Sequence, residues 1–172
     1  RRSRTAEKAD IHLALNPGTD ALLLRAMIAI ILQEGWQHDD YLAAHVNGLE
    51  SIKDELEGFD VAAGLEICGL DYETVKTVCR ELTRRQACLH DDLGMLLNRN
   101  STLSSWLVVI LMALAGRLCV PGGNVLPGRV SFLGSHTDER SDKTWRGNES
   151  DFPAIMGVFP PNALPEEITS EK

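Results

Sequence analysis

Asn16-Pro17-Gly18-Thr19-Asp20 is the stretch best suited to chemistry, set between a short apolar run at positions 11–15 and an almost unbroken apolar stretch at 21–32. A strand that feeds a tight turn into a helix N-terminus is how open α/β sheets hold nucleotides, because backbone N–H groups and the positive helix end face the ligand. A carboxylate at that place, Asp20, can accept two hydrogen bonds from a guanine edge or from a ribose. The same residues have a plainer use. Thr and Asp are favoured helix caps, so Thr19 or Asp20 can serve simply as the N-cap of the helix that follows.

A second candidate, Asp92-Leu93-Gly94-Met95, follows the short apolar run 87–90. Gly94 offers the close backbone approach that a pyrophosphate or a bulky ring system needs, or else merely ends a strand. His90-Asp91-Asp92 has the residue types of a metal or catalytic cluster. Consecutive residues at a strand end point to opposite faces, so these read as solvated loop acids. His38-Asp39-Asp40 reads the same way, its acids explained by helix capping. Ser135-His136-Thr137-Asp138 contains hydrolytic residue types but no Gly-x-Ser-x-Gly elbow, and adjacency in sequence is not triad geometry. Cys68, Cys79, Cys88 and Cys119 are scattered without a Cys-x-x-Cys pair, the pattern of ordinary thiols in a reducing compartment, so a cytoplasmic location is expected, with the periplasm as the alternative, and no disulfide and no metal are expected.

The elements that must position these residues follow from periodicity and punctuation. The first helix is expected to stop at Gly35, and Asp39 or Asp40 to cap a short helix toward His45. Gly48 breaks the chain before a helical stretch marked by Leu49, Ile52 and Leu56. Asp60 begins a brief helix through Ile67, ended by Gly69. Asp71 caps the clearest amphipathic helix, with Val75, Val78, Cys79 and Leu82 at helical spacing and Arg80, Arg84 and Arg85 opposing its C-terminal dipole. A strand at 87–90 would then return to the sheet begun at 11–15, the βαβ arrangement of a parallel sheet. Two strands do not make a stable sheet, so the expected fold is part of an α/β domain whose other strands precede Arg1. A further helix is expected from Ser101 or Thr102 to about Leu118, capped by the hydroxyl and ended by Pro121-Gly122-Gly123. Residues 125–172 read as largely irregular apart from short runs such as 130–133, and residues 162–172 as extended and polar.

Composition narrows the function. At 172 residues with 44% hydrophobic content the chain can build a core, while a net charge of −8 without a basic stripe argues against a nucleic-acid groove. The apolar runs 21–32 and 106–115 are too short for the roughly twenty residues that cross a bilayer, and read as buried helices. The chain opens on Arg rather than Met, with no apolar signal region, which reads as the interior of a longer polypeptide.

Several stretches agree in order with one family. They are the opening Arg-Arg-Ser-Arg-Thr-Ala-Glu-Lys-Ala-Asp-Ile-His-Leu with Pro17-Gly18-Thr19-Asp20 at its spacing, Ala115-Gly116-Arg117 followed by Pro121-Gly122-Gly123-Asn124, and Phe159-Pro160-Pro161-Asn162 followed by Leu164-Pro165-Glu166-Glu167-Ile168. Taken together, these resemble the molybdopterin oxidoreductases, large enzymes with a bis-molybdopterin guanine dinucleotide cofactor such as formate dehydrogenases, nitrate reductases and dimethyl sulfoxide reductases. The resemblance spans nearly the whole chain. It implies a partial Rossmann-like, dinucleotide-binding parallel sheet with helices over residues 1–98, followed at 99–172 by the start of a second α/β domain, with a helix at 102–118 and then an irregular segment. It also implies that Gly18, Thr19 and Asp20 contact the guanosine end of the cofactor, with Leu93 and Gly94 as further contacts. Many relatives carry a glutamine two or three positions after that glycine, where this chain has Leu96 and Leu97.

The family binds molybdenum or tungsten through two pterin dithiolenes and often one protein side chain, and many members add an iron–sulfur cluster on an N-terminal cysteine motif. Neither signature occurs in this stretch, so the catalytic centre, and any iron–sulfur cluster, would lie outside it. The resemblance therefore implies an internal fragment of a molybdopterin-dependent oxidoreductase, inactive alone, whose partners are the remainder of the parent polypeptide and the cofactor, with no nucleic acid and no transmembrane segment. The alternatives are a stand-alone, non-catalytic nucleotide- or partner-binding remnant, and a small helical interaction protein in which residues 17–20 are only a cap.

Overall fold

An apolar helix without a polar face is stable in water only if it is surrounded, and the computed structural model shows how this one is. The structure describes residues 2–125, 146–149, 151 and 164–169. Helix α1, Asp20–Gln33, is buried continuously from Ala26 through Leu32. Four further helices supply its cover: α3 (Lys53–Glu57), α4 (Val61–Cys68), α5 (Tyr72–Arg84) and α7 (Ser101–Leu114). The short α2 (Asp39–His45) packs on α7, as does the single turn α6 (Leu93–Leu96). Two units divide the chain, Arg1–Leu126 and Pro127–Lys172.

Local capping chemistry explains the starts of α4 and α5 and the end of α4. The Asp60 carboxylate accepts the Ala63 amide at 3.0 Å to open α4, and Gly69, with φ of 71°, closes it in the left-handed region that glycine adopts without strain. Asp71 opens α5 by accepting both the amide and the hydroxyl of Thr74, at 2.9 and 2.8 Å. On α5, Val75 and Cys79 are buried against the core, with Val78 and Leu82 half-buried beside them. Lys76 fastens α5 to the end of α1 through Glu34 at 2.6 Å, its ammonium lying 5.8 Å from the Trp36 ring centre and 5.6 Å from that of Tyr72.

The expected parallel sheet is not there. Among the described residues the chain is helical with no strand, and an isolated parallel bridge joins Leu118 and Asn124. Residues 11–15 and 87–90, expected as strands, have no ladder partner, so the partial Rossmann-like α/β reading is overturned. A short apolar run looks the same whether it is a strand or an extended connector. At 11–15 the alternation has another cause, because Leu13 packs on the helical core while Ile11 and Ala14 face solvent. At 87–90 the backbone of Leu89 pairs with a side chain rather than with a strand.

Smaller corrections concern individual helix ends. Helix α7 ends at Leu114 rather than near Leu118. Gly116 takes φ of 63°, and the His38 amide donates to the Leu114 carbonyl at 2.8 Å. Its N-cap is Asn100 with no side-chain cap bond, so neither the Ser101 nor the Thr102 hydroxyl caps it. Asp39 and Asp40 lie inside the first turn of α2, with His38 at the N-cap. Within the second unit, residues 164–169 of the tail expected to be extended form helix α8 (Leu164–Thr169). The Glu167 carboxylate there accepts the amides of Asn148 and Glu149 at 2.8 and 3.2 Å. The run 130–133, the group Ser135 to Asp138 and the Phe159 to Asn162 part of the family pattern lie outside the described residues.

Candidate functional site

The turn before α1 is bolted to the end of α4. Asn16 does this with both its backbone and its side chain: its amide donates to the Cys68 carbonyl and its Nδ2 to the Ile67 carbonyl, each at 2.9 Å. Those carbonyls belong to the last turn of α4, whose acceptors would otherwise lack partners. The Asn16 carbonyl in turn accepts from the Thr19 amide at 3.3 Å and the Thr19 hydroxyl at 2.6 Å. Thr19 is the N-cap of α1 by position, yet its side chain makes no cap hydrogen bond, because the hydroxyl is turned back into the loop. The capping reading of Thr19 therefore does not account for this residue.

Gly18 stands at the crest of the turn with φ of 80°, and a Cβ built on it meets nothing within 4 Å. The backbone there is open to close approach from outside. Asp20, the first residue of α1, is half-buried, and its Oδ2 accepts from Asn98 Nδ2 at 3.4 Å. Asn98 lies just after α6, so the two segments singled out in the sequence meet through this residue. Within α6, Asp92 is the N-cap, accepting the Leu93 amide at 2.7 Å; Leu93 is 63% exposed and Gly94 has open space where a side chain would be. Gly94 keeps an ordinary φ inside a helical turn, so it does not end a strand. Sequence reasoning missed the role of Asn16, whose side-chain partner Ile67 lies 51 residues away, and of Asn98, whose partner Asp20 lies 78 residues away.

The Pro121-Gly122-Gly123-Asn124 motif has a mechanical role. Asn124 Oδ1 accepts the Leu89 amide and Asn124 Nδ2 donates to the Leu89 carbonyl, both at 2.7 Å, so one side chain satisfies both backbone groups. The Asn124 backbone is held in its own loop by Arg117 at 2.8 Å and Cys119 at 2.6 Å. Gly123 is required there, since a Cβ would lie 2.0 Å from the Arg117 carbonyl oxygen. Arg117 also donates from Nη2 to the Thr83 carbonyl at 3.3 Å, closing the C-terminal end of α5.

Cys68 and Cys79 are buried and Cys88 and Cys119 exposed, all as free thiols. Burial pushes the Cys79 thiol up to about 12. Tyr41, whose hydroxyl donates to the Leu118 carbonyl at 2.8 Å, is also raised, first by burial and then by the charge of Cys119. Among the described residues no group of three or more His, Cys, Asp or Glu is placed to hold a metal ion, and no helix is long and apolar enough to cross a membrane.

Comparison with known proteins places this arrangement in context. No family model matches the chain. Over 148 residues it is 31% identical to a nitrate reductase of Symbiobacterium thermophilum, covering 78% of this chain and 20% of that protein. It is 32% identical over 75 residues to the F420-dependent formate dehydrogenase subunit alpha of Methanocaldococcus jannaschii, covering 44% of this chain and 11% of the relative. A trimethylamine-N-oxide reductase of Haemophilus influenzae is 24% identical over 117 residues, 64% of this chain and 14% of the relative. Its homologues are molybdopterin oxidoreductases. The chain thus corresponds to a region of these larger molybdopterin enzymes and spans a fifth of their length or less.

Proposed function

We propose that this chain is a segment of a molybdopterin-dependent oxidoreductase that binds the guanosine part of a molybdopterin guanine dinucleotide cofactor through Gly18, Thr19 and Asp20, and that it has no turnover alone. The observation that carries this reading is the turn itself: locked to α4 by Asn16, crested by a left-handed glycine with nothing above it, and followed by a half-buried carboxylate at the start of a fourteen-residue helix. These features fit a nucleoside. Gly18 lets a ring or phosphate approach the backbone, the first amides of α1 are left without a side-chain cap, and Asp20 can accept the N1–H and N2–H of guanine. Leu93 and Gly94 are the next contacts in this reading, on the single turn α6 that Asn98 links to Asp20.

When bound, a molybdenum or tungsten pterin supplies the redox chemistry, while the protein binds and orients it. The role of this chain is to hold one end. Its remaining partner is the rest of the parent polypeptide, a reading supported by exposed apolar side chains on and beside α7: Leu97, Leu103, Trp106 and Val109 are 81, 46, 45 and 50% exposed. The same surface favours the alternative of a stand-alone protein that binds a partner without redox chemistry.

A thermal-shift titration of the purified chain with guanosine monophosphate and diphosphate tests the proposal. Saturable stabilisation that is lost in Asp20→Ala is expected. No stabilisation up to millimolar nucleotide would remove the guanosine reading. Sedimentation of the same sample tests the alternative, because self-association that Trp106→Ala abolishes points to a docking face instead.

A further inference from the structure

We propose that the pocket walled by the end of α1, by α2 and by the connection from α2 into α3 binds a zwitterionic α-amino acid with an apolar side chain. The pocket has a volume of about 270 Å³. That lies just under the range of about 300–1,000 Å³ that takes drug-sized ligands, so its occupant is smaller than these. It shares no residue with the turn before α1, and the proposal stands or falls independently of the guanosine reading.

The lining carries three kinds of chemistry. Leu42, Val46 and Leu49 are half-buried and give an apolar wall for a hydrocarbon side chain. Asp39, Glu50 and Lys53 bring charge of both signs to the same pocket, yet among the described residues none of the three is in an ion pair. Unpaired opposite charges around one pocket leave room for a molecule that carries both. The fourth polar group is Gln37, whose Oε1 is buried with no hydrogen-bond donor. Native structures leave few buried acceptors unsatisfied, because each is destabilising.

An amino acid meets all of these groups at once. Its ammonium donates to Gln37 Oε1 and to the carboxylate of Asp39 or Glu50, its carboxylate accepts from Lys53, and its side chain covers the leucine and valine wall. A simple amine would set a second cation beside an unmatched Lys53. A simple carboxylic acid would leave Gln37 without a donor and add a third carboxylate beside Asp39 and Glu50.

The test is a nuclear magnetic resonance titration of the full 172-residue chain with leucine and two probes of nearly its shape. 3-Methylbutylamine lacks the carboxylate, and 4-methylpentanoate lacks the ammonium. Leucine is expected to move the amides of Leu42, Val46 and Leu49 saturably and to bind about tenfold more tightly than either probe, the value of one charge-assisted hydrogen bond. Lys53→Gln is expected to weaken leucine about tenfold without weakening 3-methylbutylamine, and Gln37→Met to weaken both while leaving 4-methylpentanoate unchanged. No saturable movement at those three amides with leucine up to about 10 mM overturns the proposal. So does 3-methylbutylamine binding as tightly as leucine, which makes the pocket a plain cation site, or leucine affinity unchanged in Lys53→Gln. The comparison of leucine with the two probes uses the wild type alone, so it decides the matter even where a variant fails to fold.

Discussion

Replacing Asn124 with alanine removes one side chain and two hydrogen bonds, both 2.7 Å and both to the backbone of Leu89. Each neutral bond is worth a net of about 0.5–1.5 kcal/mol, so the substitution should cost about 1–3 kcal/mol. Leu89 is half-buried, so water recovers part of the loss, and the lower half of the range is expected. For a domain of this size that lowers the melting temperature by roughly 2–8 °C. Asn124→Asp should do no better: it keeps an acceptor for the Leu89 amide but sets a second oxygen against the Leu89 carbonyl. Urea unfolding followed by circular dichroism gives the total, and hydrogen exchange at the Leu89 amide locates it. A loss below about 0.5 kcal/mol with unchanged exchange at Leu89 would refute the clamp. Unchanged nucleotide binding in the same variant is expected, since the clamp acts on the 87–90 segment and not on the turn at Gly18.

The other predictions are narrower. Native protein treated with a thiol reagent near pH 8 should label Cys88 and Cys119 and spare Cys68 and Cys79, all four reacting only in denaturant; rapid labelling of Cys79 would contradict its burial. Because the folded Cys79 thiol is raised from 9.0 to about 12, its protonated form contributes stability that is complete below pH 9 and lost as pH rises toward 12. Stability should fall through that window, and less steeply in Cys79→Ala. Asp71 is held below its ordinary 3.8, first by the Thr74 hydroxyl and then by the Thr74 amide, so its contribution is present above that value and lost as pH falls through the folded one. Asp71→Ala should therefore be less stable than the wild type at pH 7, and the gap between them should narrow as pH falls below 3.8, as read by thermal melting. Ser104 is completely buried with no partner for its hydroxyl, so Ser104→Ala should raise stability by about 1 kcal/mol in urea unfolding, and a loss of that size would mean the hydroxyl is bonded.

What the sequence showed and what it hid differ in range. The α1 rod and the caps of α4 and α5 were legible because each depends on neighbours within a turn or two: Asp60 on Ala63, Asp71 on Thr74, Gly69 on its own φ. The sheet was misread because the apolar runs 11–15 and 87–90 carry no local mark of their partners. What occupies Leu89 is the amide of Asn124, 35 residues on. The end of α7 was misplaced for a similar reason, since Gly116 packs against His38 far back in the chain. Of the site, Gly18, Thr19 and Asp20 stood out by residue type and spacing, while the residues that hold the turn, Asn16 on α4 and Asn98 after α6, declare themselves only once the helices are assembled.

The central claim is that the turn before α1 grips a guanine nucleoside, and the most direct measurement is a nuclear magnetic resonance titration of the isotope-labelled chain with guanosine monophosphate. The account predicts saturable movement of backbone amides concentrated at Gly18, Thr19, Asp20 and Ala21, with smaller movement at Leu93 and Gly94. Saturation without movement at the turn, or movement centred on the Asn124 loop instead, would contradict it.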